Sequence, residues 1–145
     1  MDIINMINSA DRYFHPEEFI DECAEKLGSR IISCHIKDVH LNEAYTLRLE
    51  ECPPGQGEFP LRYYAEKMNA IDPEMPMIVE HLSTDDEYPK YVEYLKKSWR
   101  GLYEGTIPPK IYKLGGEYGK NVKNSYCDNH VGCDRCVDDR LRHGR

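Results

Sequence analysis

Two places in the chain end an apolar run on side chains that can hold a metal or move a proton. In RIISCHIKDV, from Arg30 to Val39, the run meets His35, with Lys37 and Asp38 just beyond; in MPMIVEHL, from Met75 to Leu82, it meets Glu80 and then His81. Runs apolar on both sides read as buried parallel strands. Ligands of α/β proteins gather at the carboxyl ends of such strands. A lone imidazole or carboxylate there is either a satisfied structural group or part of a metal or catalytic site, and pattern alone leaves both open. A third cluster stands near the end of the sequence. Cys127, His130, Cys133 and Cys136 recur every three residues, C-x-x-H-x-x-C-x-x-C. Four soft ligands suit zinc or an iron–sulfur cluster, although most zinc folds bring two separated pairs together. A tail with incidental thiols is the competing reading.

The elements that must position these groups follow from periodicity. Pro16 to Leu27 is helical, with Phe19, Ile20, Cys23, Ala24 and Leu27 on one stripe and Glu17, Glu18, Asp21, Glu22, Glu25 and Lys26 facing away. Proline suits its first turn and Gly28 its exit. A strand over Arg30–Val39 puts Ile31, Ser33 and His35 on one side, and Ile32, Cys34 and Ile36 on the other. The piece TLRLEE is short and extended, and CPPGQGE is a turn cluster whose Gly55 and Gly57 shape the chain. Leu61 to Ile71 is a second amphipathic helix, Met75 to Leu82 a second strand. Thr84 and Glu87 offer a capping box for a third helix running to about Gly101. Helix, strand, helix, strand, helix is βαβ wiring and predicts an α/β fold.

The segments DIIN, SCHIKDV, PPGQGEF and PMIVEHL, in that order and spacing, resemble the C-terminal part of the xylose-isomerase-like TIM-barrel family of sugar phosphate isomerases and epimerases. The likeness runs from Asp2 to about Lys97. It implies an incomplete (β/α)8 barrel, with the last βα units over residues 1–101 and an irregular, Cys-rich extension over 102–145. It also implies a divalent metal (Mn, Mg or Co, ahead of Zn) held by Asp2, His35 and Glu80, with a further Glu upstream of Asp2 and outside this sequence. Glu80 is then also a catalytic carboxylate, paired with that absent Glu.

The implied reaction is isomerisation or epimerisation of a sugar or sugar phosphate by proton transfer beside a carbonyl. A metal ion stabilises charge growing on oxygen, and two carboxylates take and return the proton. A lyase dehydrating an inosose or sugar acid uses the same first step. The third alternative is a non-catalytic remnant whose working part is the tail. Asn5 stands where many relatives carry a substrate-binding His, and its amide can still bond a hydroxyl. Lys37 and Asp38 either contact substrate or anchor the loop by a salt bridge. His81, of opposite parity to Glu80, points toward the outer layer. Abasic-site endonucleases of the same scaffold need further His ligands, one of them at the place of Asn5.

Composition narrows the partners. A net charge of −7 argues against nucleic acid and anionic membranes, both of which need a positive surface. The chain holds 145 residues, whereas a complete barrel takes about 250. The expectation is therefore a fragment of a longer gene, or a second chain or oligomer that completes the barrel. Cys23, Cys34 and Cys52 are scattered through helix, strand and loop, and no leader or membrane span is visible. A cytoplasmic setting with reduced thiols is the resulting expectation.

Overall fold

A computed structural model describes residues 1–44, 46, 48–80, 82–101 and 110–113. The compact unit holding them extends to Leu114. It runs past the Gly101 boundary expected from the sequence, because a further strand lies beyond that glycine.

Helix α1 covers Ala10–Phe14 and α2 Pro16–Leu27; β1 is Cys34–Ile36, β2 Asp38–Asn42 and β3 Arg48–Cys52. Helix α3 covers Leu61–Ile71, β4 Pro76–Val79, α4 Glu87–Ser98 and β5 Lys110–Lys113. The bounds of α2 and α3 coincide with the amphipathic stretches. Pro16 opens α2, and Gly28 closes it at a φ of 46° that favours glycine. Helix α1 carries too few residues for a readable stripe; Ser9 caps it by accepting from the Arg12 N–H. In α4 the Glu87 carboxylate accepts from the Thr84 N–H at 3.1 Å, one half of the anticipated capping box.

Strands β1, β4 and β5 form a parallel sheet in that spatial order. The N-terminal residue adds to its free side. Met1 N donates to Ser33 O, and Met1 O accepts from His35 N at 2.9 Å, the hydrogen-bond pattern of a parallel bridge around Cys34. Spatial order equals chain order, with no reversal. Parallel crossovers are right-handed almost without exception, so steps in one direction lay their helices on one face. The burial pattern agrees. Cys34, Ile36, Met77 and Val79 are wholly buried and Tyr64 of α3 reaches Cys34, whereas His35 and Ile78 on the other face are half-buried. Ile3, Ile20, Tyr64, Met68 and Leu95 complete the core on the helical side.

Three features differ from the sequence reading. The strand expected over Arg30–Val39 is broken. Gly28–Arg30 is a 3-10 turn, regular pairing starts only at Cys34, and Lys37 separates β1 from β2. Strict alternation therefore fails before Cys34: Ile31 is buried and Ile32 is 52% exposed. Second, β2 leaves the parallel sheet and pairs antiparallel with β3, Val39 opposite Glu51 and Asp38 opposite Cys52. The extended piece TLRLEE is thus one arm of a hairpin. Third, the segment beyond Gly101, expected to be irregular, supplies β5 to the sheet.

Candidate functional site

Register decides which side chains meet. His35 pairs with Ile78 and Ile36 with Val79, so Lys37 and Glu80 come next, side by side. The Glu80 N–H donates to Ile36 O at 3.3 Å and carries the ladder one step past β4. In a parallel pair, partners point to the same face, so His35, Lys37 and Glu80 share the face opposite the helices. Asp2 follows Met1 and its parallel bridge, and takes the same face beside His35.

Asp2, His35 and Glu80 each offer a ligand atom within 4.8 Å of the others. His35 Nδ1 lies 2.7 Å from Glu80 Oε2 and 3.5 Å from Asp2 Oδ2. This nitrogen is buried, yet makes no hydrogen bond of acceptable geometry. An imidazole nitrogen set among carboxylate oxygens without a proper hydrogen bond fits a ligand atom. Two carboxylates and one imidazole make a donor set for Mn²⁺, Mg²⁺ or Co²⁺. The residues present fit the implied ion.

Lys37 lies beneath them, wholly buried. Its Nζ donates to Asn5 Oδ1 at 2.7 Å and lies 3.0 Å from Glu51 Oε1, 3.2 Å from Asp2 Oδ2 and 3.2 Å from Glu80 Oε1. Burial pushes the Lys37 ammonium down, but Glu51, Glu80 and Asp2 outweigh that and raise it above the ordinary lysine value. The three carboxylates thus favour the charged form of Lys37. Burial pushes the Asp2 carboxyl up; contacts with Glu80, Lys37 and the Asn5 N–H outweigh it and hold Asp2 below its usual range. Asn5 also donates from Nδ2 to Asp2 Oδ2 at 2.5 Å.

Asp38 has a different task. Its parity turns it from the cluster, and it is 1% exposed. Its Oδ1 accepts from the Val39 and Phe59 N–H groups at 2.9 and 3.0 Å, and its Oδ2 from Gly55 N–H at 2.9 Å. The carboxylate thus ties down the CPPGQGE loop through backbone N–H groups, where the sequence had left substrate contact or a loop salt bridge open. Gly57 is required there, since a Cβ would overlap Asp38 Oδ1 and Val39 O. Gly55 sits at φ 83° against the Tyr94 ring.

Sequence reasoning missed Glu51. It stands in a polar stretch, and only the hairpin register brings it to Lys37. Its one available signal was the pattern of TLRLEE, which identifies an arm but not its partner. A cleft of about 340 Å³ lined by Phe14, His15, Glu58 and Pro60 contains none of the cluster residues. His81 and the tail group Cys127, His130, Cys133 and Cys136 lie outside the described residues.

Compared with protein-family models, curated proteins and solved structures, the chain matches none. Among the described residues, no helix is long and apolar enough to cross a membrane.

Proposed function

We propose that the cluster binds a divalent metal and transfers a proton beside the carbonyl of a sugar or sugar phosphate, as an isomerase or epimerase does. The observation that carries this reading is the convergence of Asp2, His35 and Glu80 within 4.8 Å at the carboxyl ends of adjacent parallel segments. On this reading the scaffold is the C-terminal part of a (β/α)8 barrel. Support comes from three parallel strands in unreversed order and helices on one face.

A bound divalent ion supplies Lewis-acid stabilisation of charge developing on the carbonyl oxygen. Glu80 takes the proton from the neighbouring carbon; its Oε1 rests on Lys37 and its Oε2 beside His35. Lys37 holds Asp2 and Glu80 in place and offsets their repulsion. Asn5 hydrogen-bonds both Asp2 and Lys37, which keeps its amide at the rim for a substrate hydroxyl. Cys23, Cys34 and Cys52 are buried free thiols, which supports a reducing, cytoplasmic setting.

The test is a panel of ketoses, ketose phosphates and inosose assayed with Mn²⁺, Mg²⁺ and Co²⁺, beside an abasic oligonucleotide. Sugar turnover that needs added metal and disappears in Glu80→Gln is the expected result. Cleavage of the oligonucleotide with every sugar unchanged would refute it.

A further inference from the structure

A buried ammonium needs an acceptor for each of its hydrogens, and a lysine has three of them to place. Four oxygens stand around Lys37 Nζ: Asn5 Oδ1 at 2.7 Å, Glu51 Oε1 at 3.0 Å, and Asp2 Oδ2 and Glu80 Oε1 at 3.2 Å. One acceptor is in excess. The most contested oxygen is Asp2 Oδ2, which also accepts from Asn5 Nδ2 at 2.5 Å and lies 3.5 Å from His35 Nδ1. A divalent ion held by Asp2, His35 and Glu80 competes with the ammonium for this carboxylate. If Lys37 releases Asp2, it keeps Asn5, Glu51 and Glu80, three acceptors for three hydrogens. Without Glu51 the same release leaves one hydrogen of a wholly buried ammonium unpaired, with the full desolvation penalty of that group.

We propose that Glu51 is a positioning residue of the metal site, the acceptor that keeps Lys37 paired when a divalent ion draws Asp2 away. This rests on the metal-binding part of the reading above and on no particular substrate. Glu51 suits the task because it comes from none of the segments that carry the three ligands. It stands on the hairpin arm β3 opposite Val39, so it is the diagonal neighbour of Lys37, within reach of a long side chain. The arm is tied to the ladder on both sides of Glu51, by the pairs Asp38–Cys52 and His40–Glu50. Asp38 in turn accepts from the Gly55 and Phe59 N–H groups, which fixes the loop that follows the arm. The anchor of the lysine is therefore independent of the ligands, and Glu51 acts on the ion only through Lys37.

The experiment measures Mn²⁺ binding to the full chain by EPR and melting in chelator by circular dichroism. Glu51→Met should bind Mn²⁺ about 10- to 100-fold more weakly than wild type, the usual effect of a partner one contact removed from an ion. In chelator the same variant should melt within about 4 °C of wild type, because Lys37 still has three acceptors when no ion competes. A merely structural contact would give the opposite pattern. Glu51→Gln keeps an acceptor oxygen and should lose less than about 10-fold in affinity. In a Lys37→Met background, Glu51→Met should cost less than about threefold, since the residue it serves is gone. An equal loss with and without the lysine overturns the proposal, and so does a Glu51→Met chain that is unfolded in chelator. A wild type that binds no Mn²⁺ overturns this inference together with the metal reading beneath it. A wild type that binds Mn²⁺ with a Glu51→Met variant that binds equally well overturns this inference alone.

Discussion

Replacing Lys37 by methionine removes the one positive charge that three carboxylates share, while keeping most of the side-chain volume. In the folded protein its nitrogen has Asn5 at 2.7 Å, Glu51 at 3.0 Å, and Asp2 and Glu80 at 3.2 Å, with no exposed surface. Breaking a buried ion pair by deleting one partner costs about 3–5 kcal/mol, because the remaining charge is left uncompensated. For a chain of this size each kcal/mol lowers the melting temperature by about 2–4 °C, so Lys37→Met should melt roughly 6–20 °C below wild type in metal-free buffer. Adding Mn²⁺ should then stabilise the variant more than the wild type, since the ion meets the same carboxylates without a competing ammonium. At about 100 times its dissociation constant a ligand adds about 2.7 kcal/mol, so the gap should visibly narrow. Thermal melts by circular dichroism with chelator, and then with Mn²⁺, measure both effects. A variant melting within about 2 °C of wild type, or one stabilised less by Mn²⁺ than wild type, refutes the view that Lys37 and a metal neutralise one cluster.

Other outcomes follow from single contacts. His35→Ala should weaken Mn²⁺ binding by more than the roughly 10- to 100-fold that loss of an outer-shell partner costs, as read by EPR. Gly57→Ala places a methyl group against Asp38 Oδ1 and Val39 O, and should destabilise by about 1–3 kcal/mol in urea melts while leaving the α2 and α3 helical signal intact. Burial, and then the Glu58 carboxylate that its hydroxyl meets, push Tyr13 up to about 12 from its ordinary 10.0. The protonated form is favoured by folding, so this contribution is complete below pH 10 and is lost as pH rises from 10 to about 12. Wild type should therefore lose up to about 2 kcal/mol across that interval, and Tyr13→Phe should not.

Helices were the most legible elements. Phe19, Ile20 and Cys23, and likewise Leu61, Tyr64, Ala65 and Met68, fall on single stripes and are buried along them. The strands were legible as apolar runs but not in extent, since Ile31 and Ile32 look like strand residues and precede the first ladder bond. Their φ/ψ is decided by the 3-10 turn after Gly28, a local geometry that apolar pattern does not encode. Strand β5 was hidden because its four residues, KIYK, carry two lysines and sit among turn formers. The convergence of His35 with Glu80 could be anticipated from their places at the ends of two apolar runs. Lys37 and Asp38 stand side by side in the sequence, but alternation sends them to opposite faces, one to the cluster and the other to the loop. Glu51 lay beyond reach, because a hairpin register depends on turn geometry rather than on hydrophobic pattern.

The charges of the cluster suggest why a lysine belongs in it. Asp2, Glu51 and Glu80 bring three negative charges to within hydrogen-bonding range of one nitrogen, and Glu80 is almost completely buried. Unpaired, such a group would protonate or push the strand ends apart. The Lys37 ammonium cancels one charge and is held by covalent attachment to β1, so the ligands can be arranged before an ion arrives. Two negative charges remain, and a divalent cation neutralises them where a monovalent one would leave an excess buried. On the proposed reading the same lysine remains useful during the reaction. Its positive charge stays fixed beneath Glu80 while that carboxylate takes up a proton and returns it, so the low-polarity floor need not reorganise at each turnover.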